Sequence, residues 1–398
     1  EYVNSLIGKD LSADMIKSIV TSLDMKIDDE KENGLELSVP PYRVDVQRPC
    51  DVVEDILRIY GYNNVEIPTQ LKSSLVIKGD DDHKHKLENI IAEQLVGYGF
   101  SEIFNNSLTK AAYYSDFNLY PAENLVRIMN PLSSDLNVMR ETLLFGGLES
   151  VAYNINRKNP NLRFFEVGNI YKYSPEKKNP ENPMAAYKEE AHVGLWITGK
   201  RVVGSWAHAD EDSSFYELKA YVDNLFRRLG VANNAITTKV SDNNIFSDGL
   251  TLEDRTGKVF AEIGLICRNI LKKFDIENPV YYADIHWNTL FRAIRKNTIH
   301  FSEISKYPAV SRDLALLLDK SVKFSEIERI ANKTERRYLK SVELFDVYEG
   351  KNLPEGKKSY AVNFILQDEN QTLKDKQIDS IMNKLISNLK KELNAELR

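Results

Sequence analysis

Cysteine is nearly absent from this 398-residue chain: Cys50 and Cys267 stand far apart, which rules out a thiolate zinc cluster made from this chain alone and fits a reducing cytoplasm. Long apolar runs are missing too. None approaches the roughly 18 to 20 residues that span a bilayer, and the start is not signal-like, so no membrane partner is expected. No P-loop, nucleophile elbow, H-E-x-x-H or G-x-G-x-x-G fingerprint is present. An excess of positive charge is lacking as well, since a net charge of −6 argues against a simple nucleic-acid binder. Of six histidines, His83 and His85 lie in an acidic, polar stretch and read as solvated surface, not as a metal site. The chain begins at Glu1 and not at a methionine, directly on a structured-looking segment, so it is expected to be a fragment of a longer polypeptide.

Its length suggests two to four domains, and 42% hydrophobic residues is ample for packed cores. Charge is unevenly spread. From Ser305 to Arg398 there are 18 Lys+Arg and 15 Asp+Glu, a balance of +3, which leaves 35 against 44, or −9, for residues 1–304. The C-terminal part is the one that can meet a phosphate backbone without strong repulsion.

The densest chemistry lies between Pro40 and Pro68. Asp51, Glu54 and Asp55 stand at i, i+3 and i+4, on one face of a helix opening near Pro49 and Cys50, and Asp45 closes a strand expected from Val39 to Val46. Two like charges about 5 Å apart repel by roughly 3 kcal/mol at an effective dielectric near 20, so converging carboxylates need a counter-charge. Two readings stand on spacing alone. Either a divalent oxygen-seeking ion, Mg2+, sits among them and keeps part of its water, or the acids favour the positive helix end, with Glu54 paired to Arg58 and with Arg43 and Arg48 screening the rest. The stretch Arg43-Val44-Asp45, Asp51, Glu54-Asp55, Arg58 and Gly61-Tyr62-Asn63-Asn64 up to Ile67-Pro68 resembles the B5 domain of the bacterial phenylalanine-tRNA ligase beta subunit. That resemblance implies Mg2+ ligation by Asp45, Asp51, Glu54 and Asp55, shared with an alpha subunit. The family's usual Glu-Glu is Glu54-Asp55 here.

Three domains are expected, at 1–70, 80–300 and 305–398. The first reads as helix, strand, helix in a winged-helix-like unit: Ser12 caps a helix with Ile16, Ile19, Val20 and Leu23 as its stripe, Asn33-Gly34 turns, and Leu35, Leu37 and Val39 alternate. The acidic helix to Tyr60 buries Val52, Val53, Ile56 and Ile59, and a polar connector runs from Pro68 to Asp82. The second is an α+β domain with an antiparallel or mixed sheet. Its helix bearing Leu87, Ile90, Ile91, Leu95 and Val96 ends at Gly97, a strand-like SEIFNNSL follows, and further elements are a helix near Leu143, strands 163–171, 192–198 and 259–267, and a helix 215–229.

Asn130-Pro131-Leu132-Ser133, Val138-Met139-Arg140, Phe164-Phe165-Glu166-Val167-Gly168 and Phe215 to Lys219 resemble the same beta subunit's central domain, built on the class II synthetase fold. A class II site needs an arginine from an R-x-E strand on the α-phosphate and a second one after a glycine-rich strand. Arg163 has the wrong spacing to Glu166, and Gly264 and Arg268 lack companion glycines, so this domain is expected to lack catalytic motifs and to pack against a catalytic partner through an apolar surface.

The last domain reads as βαββαβ, a ferredoxin-like split βαβ, with Ser325 to Glu328 as a capping box and a Gly350 to Gly356 loop. Its open sheet face suits single-stranded RNA held by aromatic stacking and cations, or equally a protein or metabolite. Ser305-Lys306-Tyr307-Pro308, Ser311-Arg312-Asp313-Leu314, Leu344 to Tyr348, Lys357-Lys358-Ser359 and Asn394 to Arg398 resemble the ferredoxin-fold anticodon-binding domain. This implies tRNA contact, with Lys306, Arg312, Arg336, Arg337 and Lys340 as candidates. The three resemblances together imply the C-terminal half of a ligase beta subunit in a cytoplasmic (αβ)2 assembly with Mg2+, tRNA(Phe), and ATP and phenylalanine bound by the alpha subunit. The family's N-terminal tRNA-binding and editing domains have no counterpart in these residues. The rival reading is a stand-alone RNA-binding or scaffolding protein.

Overall fold

A computed structural model describes residues 1–32, 34–67, 70, 79–115, 117, 119–232, 235–295, 297, 301, 303–350 and 353–398, with the side chains of 80–82 left aside. The chain divides into two compact units, Glu1–Arg295 and Lys296–Arg398. Among the described residues no helix is long and apolar enough to cross a membrane.

The first unit opens with helices α1 (Tyr2–Ile7) and α2 (Ala13–Ser22), strands β1 (Lys26–Lys31) and β2 (Gly34–Ser38), and helix α3 (Pro49–Tyr60). Ser12 caps α2 as expected, its Oγ accepting from the Met15 N–H at 3.3 Å. The strand expected from Val39 to Val46 does not form. Residues 39–48 are turns, because Pro40 and Pro41 offer no N–H to a ladder, and β2 pairs instead with β1, a strand the alternation did not announce. Val53 and Ile56 of α3 pack with Val20 and Met25, whereas Ile59, expected inside, is 55% exposed. The expected turn residue Asn33 and most of the connector 68–82 lie outside the described residues.

Residues 79–295 are built on a seven-stranded sheet. In chain order the elements are α4 (Asp80–Gly97), β3 (Ser101–Glu102), β4 (Leu108–Thr109), β5 (Val138–Met139), α5 (Leu144–Ile155), β6 (Leu162–Tyr173), β7 (Tyr187–Thr198), β8 (Lys200–Val202), β9 (Glu211–Asp212), α6 (Phe215–Arg228), β10 (Thr237–Val240), β11 (Phe246–Glu253), β12 (Val259–Ile266), α7 (Arg268–Lys272), β13 (Val280–Ile285) and α8 (Trp287–Ile294). The large sheet runs β10-β11-β12-β13-β7-β6-β3, antiparallel except for the parallel β3–β6 pair. The expected SEIFNNSL strand thus shrinks to two residues. β7 is buried from Ala191 to Thr198 because both sheet faces are covered. Val193, Leu195 and Ile197 join Leu95, Leu218, Val222 and Leu290 in one core, and Trp196 joins Leu144, Phe145, Leu148 and Tyr282 in the other. Two-sided burial of this kind turns an alternating strand into a continuous apolar run.

The second unit contains β14 (Val310–Asp319), α9 (Phe324–Thr334), β15 (Leu339–Tyr348), β16 (Lys357–Leu366), α10 (Asp375–Leu393) and β17 (Glu396–Leu397), with sheet order β15-β16-β14-β17. This is the expected ferredoxin-like topology, and Leu316, Leu318, Val362, Phe364 and Leu366 face α9 and α10. The cap of α9 differs from expectation: Glu326 reaches back to the Lys323 N–H at 2.9 Å, so the helix starts at Phe324 and Ser325 lies within its first turn. Lys351 and Asn352 of the expected loop lie outside the described residues.

Close approach of α5 to the sheet rests on Gly147. A Cβ there would sit 2.1 Å from the Trp196 ring, which is fully buried and has nowhere to move. Gly147→Ala should therefore destabilise the first unit by about 2 kcal/mol, visible as a lower urea midpoint at unchanged m value.

Candidate metal site and nucleic-acid face

The acidic stretch is resolved mostly by arginine. Asp51 accepts from the backbone N–H groups of Gln47 (3.0 Å) and Arg48 (2.7 Å) and from the Arg48 guanidinium, which caps α3 and holds its carboxyl down at about 2. Asp55, one turn further on, is buried against the Arg43 guanidinium. Asp45 and Glu54 are exposed and have no hydrogen bond or ion pair among the described residues, so the expected Glu54–Arg58 pair is not formed. The structure does not gather all four carboxylates: among the described residues, no three of them bring ligand atoms within 4.8 Å. Two solvent-facing carboxylates beside two neutralised ones still fit Mg2+, which takes one or two protein carboxylates and keeps several waters. His83 and His85 are exposed, the latter beside Glu88.

In the central sheet the arginines point inward. Arg140 is buried, with Nη1 on Glu166 Oε1 at 2.5 Å and Nε donating to the Asn169 carbonyl at 2.9 Å. It lies over Gly168, where any Cβ would meet its guanidinium at 2.4 Å. Arg163 donates to Glu217 at 3.2 Å and to the Arg201 carbonyl at 2.9 Å. Neighbouring Glu141 is buried with one carboxylate oxygen unpartnered, and burial pushes its carboxyl up to about 7 even though the Lys172 ammonium 3.8 Å away opposes that shift. Exposed apolar side chains mark the same domain: Phe104, Met129 and Leu132 are 93%, 91% and 99% exposed.

The C-terminal sheet leaves one face open, with a mixed set of side chains and with Phe345 of β15 61% exposed at the strand's bulge. Register puts Tyr348, Ser359 and Leu317 in one row, with Asp313, Ala315, Ala361, Asn363 and Glu343 on the same face. Tyr348 is the aromatic of that row, and the Arg398 guanidinium covers its ring at 5.1 Å. The five cations expected to meet RNA lie elsewhere, around one end of the sheet. Arg312 stands opposite Phe364, on the helix-side face near the start of β14; Arg336, Arg337 and Lys340 flank the start of β15. Gln367 ties this end together, its side chain donating to the Tyr307 carbonyl beside Lys306 and its backbone N–H to the Tyr338 carbonyl. All five are exposed, and Lys340 is paired with Glu369 at 2.6 Å. Sequence alone gave no sign of the Gln367 clamp.

Three family models match the chain: a tRNA synthetase B5 domain at residues 1–62, a phenylalanyl tRNA synthetase beta chain CLM domain at 67–287 and a ferredoxin-fold anticodon binding domain at 305–398. The chain is 62% identical over 398 residues to the phenylalanine-tRNA ligase beta subunit of Bacteroides fragilis, 46% to that of Porphyromonas gingivalis and 31% to that of Fusobacterium nucleatum. Each comparison covers 100% of this chain and 48%, 49% and 48% of those proteins, so the chain spans about half the length of the curated relatives it matches.

Two outcomes follow from the charges. Asp55→Ala leaves Arg43 without its buried counter-charge and should lower stability by about 3 kcal/mol in a denaturant titration, whereas Glu54→Ala should change it by less than ~0.5 kcal/mol. Glu141 has a folded pKa above its ordinary 4.5, so its contribution to stability is whole below about pH 4.5 and is lost as pH rises through about 7. Glu141→Gln should remove that slope and make the chain more stable than wild type by about 2 kcal/mol at pH 8.

Proposed function

The chain belongs to the phenylalanyl-tRNA synthetase beta-chain family, and from that premise we propose that it works as part of a beta subunit in the cytoplasm. It scaffolds a catalytic alpha subunit in an (αβ)2 assembly, shares a Mg2+ site with it and contacts tRNA(Phe), while ATP and phenylalanine bind to the alpha subunit. The observation that carries this reading is the contrast in the central domain between satisfied cations and unsatisfied apolar surface. Arg140 and Arg163 are spent on Glu166 and Glu217, so neither guanidinium is offered to a phosphate. Phe104, Met129 and Leu132 instead present apolar surface to solvent, as an interface does before its partner arrives.

Mg2+ would be held by Asp45 and Glu54, with Asp51 and Asp55 acting through water or through their arginines; when bound, it supplies a positive bridge between two acidic surfaces. The cationic end of the C-terminal domain, with Lys306, Arg312, Arg336 and Arg337 free of acidic partners among the described residues, supports tRNA contact through phosphate.

Co-expression of the chain with a phenylalanine-tRNA ligase alpha subunit should yield a stable complex on gel filtration. The paired change Phe104→Asp and Leu132→Asp should weaken it at least tenfold with an unaltered melting temperature. Asp45→Asn with Glu54→Gln should raise the Mg2+ concentration needed for assembly several-fold. The chain alone should give no phenylalanine-dependent ATP–pyrophosphate exchange, and exchange by it would overturn the scaffold reading. A monomer that ignores the alpha subunit yet binds RNA would establish the stand-alone alternative.

A further inference from the structure

A second group of ligand-type side chains lies in the central sheet, remote in sequence from the acidic stretch. His192 of β7, Asp284 of β13 and His286, just after β13, bring donor atoms within 4.8 Å of one another, and they are the one such group among the described residues. Antiparallel register explains why. Ile285 pairs with Val193 and Asp284 with Gly194, so His192 and His286 become cross-strand neighbours on the sheet face that carries Trp196 and Tyr282. Gly194 pairs with Asp284 and makes room for the Trp196 ring, and Glu262 of β12, which pairs with Asp284 on its other side, adds a further carboxylate to the same face.

A plain histidine–aspartate hydrogen bond accounts for only part of this. His192 Nδ1 lies 2.6 Å from Asp284 Oδ1, which satisfies those two groups. His286 is the residue left over. Its ring lies against His192, tilted by 42° at a centroid distance of 4.6 Å, but its ring nitrogens have no hydrogen-bond partner among the described residues. The surrounding charge is also one-sided. Glu141, Glu262 and Asp284 share the field of the Lys172 ammonium, since Glu190 is taken by Lys188 at 2.8 Å. Two imidazoles and a carboxylate in an acidic, largely buried setting are the donor set of zinc-class ions, whereas Mg2+ prefers oxygen alone.

We propose that His192, Asp284 and His286 bind a divalent transition-metal ion of the zinc class, which pins β7 to β13 in a structural role. The fourth position falls to water. This site is independent of the Mg2+ reading: it uses other residues, another donor chemistry and another domain.

Equilibrium dialysis of the full chain against Zn2+, read by metal content after removal of free ion, tests it. One ion per chain is expected, retained in the presence of millimolar Mg2+, and Co2+ in its place should give the visible d–d absorption of an N,O-ligated site. His286→Gln leaves the His192–Asp284 bond intact and should fold normally by circular dichroism while weakening Zn2+ at least ~tenfold, as should Asp284→Asn. The double variant Cys50→Ser with Cys267→Ser, and His83→Gln with His85→Gln, should bind as wild type. Less than stoichiometric retention by the wild type, full retention by His286→Gln, or loss in either control pair would overturn the assignment.

Discussion

The Arg140–Glu166 ion pair is the constraint on which the central domain depends. Its side chains are 7% and 1% exposed, so neither charge has water to fall back on, and the pair holds only because each end is satisfied several times over. Arg140 also donates to the carbonyls of Asn169 and Asn105, and Glu166 accepts from the Asn105 backbone and side-chain amides. One guanidinium thus joins the segment before α5, the loop after β3 and the middle of β6. Removing either partner strands the other in a low dielectric, at a cost of several kcal/mol. A cation fixed this way is structural by position, since its charge is already met by Glu166.

Three solutions to converging negative charge recur along the chain. At the front, arginines arrive from just upstream, Arg43 for Asp55 and Arg48 for Asp51, and the helix end takes part of the remaining field. In the central sheet one lysine, Lys172, serves several acids, and the excess is met by a raised carboxyl at Glu141 and by the histidine beside Asp284. In the C-terminal domain lysines meet several acids, as Lys340 does Glu369 and Lys320 does Glu349, while on the open sheet face Asp313 is met by a neutral group, Asn363 donating to it at 2.5 Å. The last arrangement bears on function. A face lined by Asp313 and Glu343 disfavours phosphate, whereas the end around Gln367 carries exposed cations.

Legibility followed the range of the forces involved. The helices α2, α3, α5, α6, α9 and α10 announce themselves through local periodicity and caps, and the βαββαβ order through alternating runs in a short, self-contained domain. β1, β10, β11 and β13 were not legible. β1 is polar and exposed, with no apolar alternation to find; β13 is one short strand completed by neighbours far away in sequence. The turn at 39–48 was hidden by reading Val39, Val44 and Val46 as a strand, although Pro40-Pro41 carried the contrary signal. Site residues divide the same way. The arginine screening of Asp51 and Asp55 was open to inspection because both partners lie within twelve residues. The His192–Asp284–His286 group was not, since sheet register alone brings residue 192 beside residues 284 and 286.

Covering the central sheet on both faces has a further consequence for where this chain can act. Trp196 and Tyr282 fill one face under α5, and Leu195 and Ile197 fill the other under α4, α6 and α8. Indole and phenol rings fill much of the space on one face, and Gly147 and Gly194 leave the room that the indole takes. Such a domain is densely packed through its middle. Phe104, Met129 and Leu132 stand in solvent in the segments that link the short strands, while the next helix is anchored through Leu144 and Phe145. Phe104 lies between β3 and β4, and Met129 and Leu132 lie in the loop that the Arg127–Val138 bridge closes, so these side chains are tethered at both ends, and tethering lowers the entropy that any contact covering them would cost.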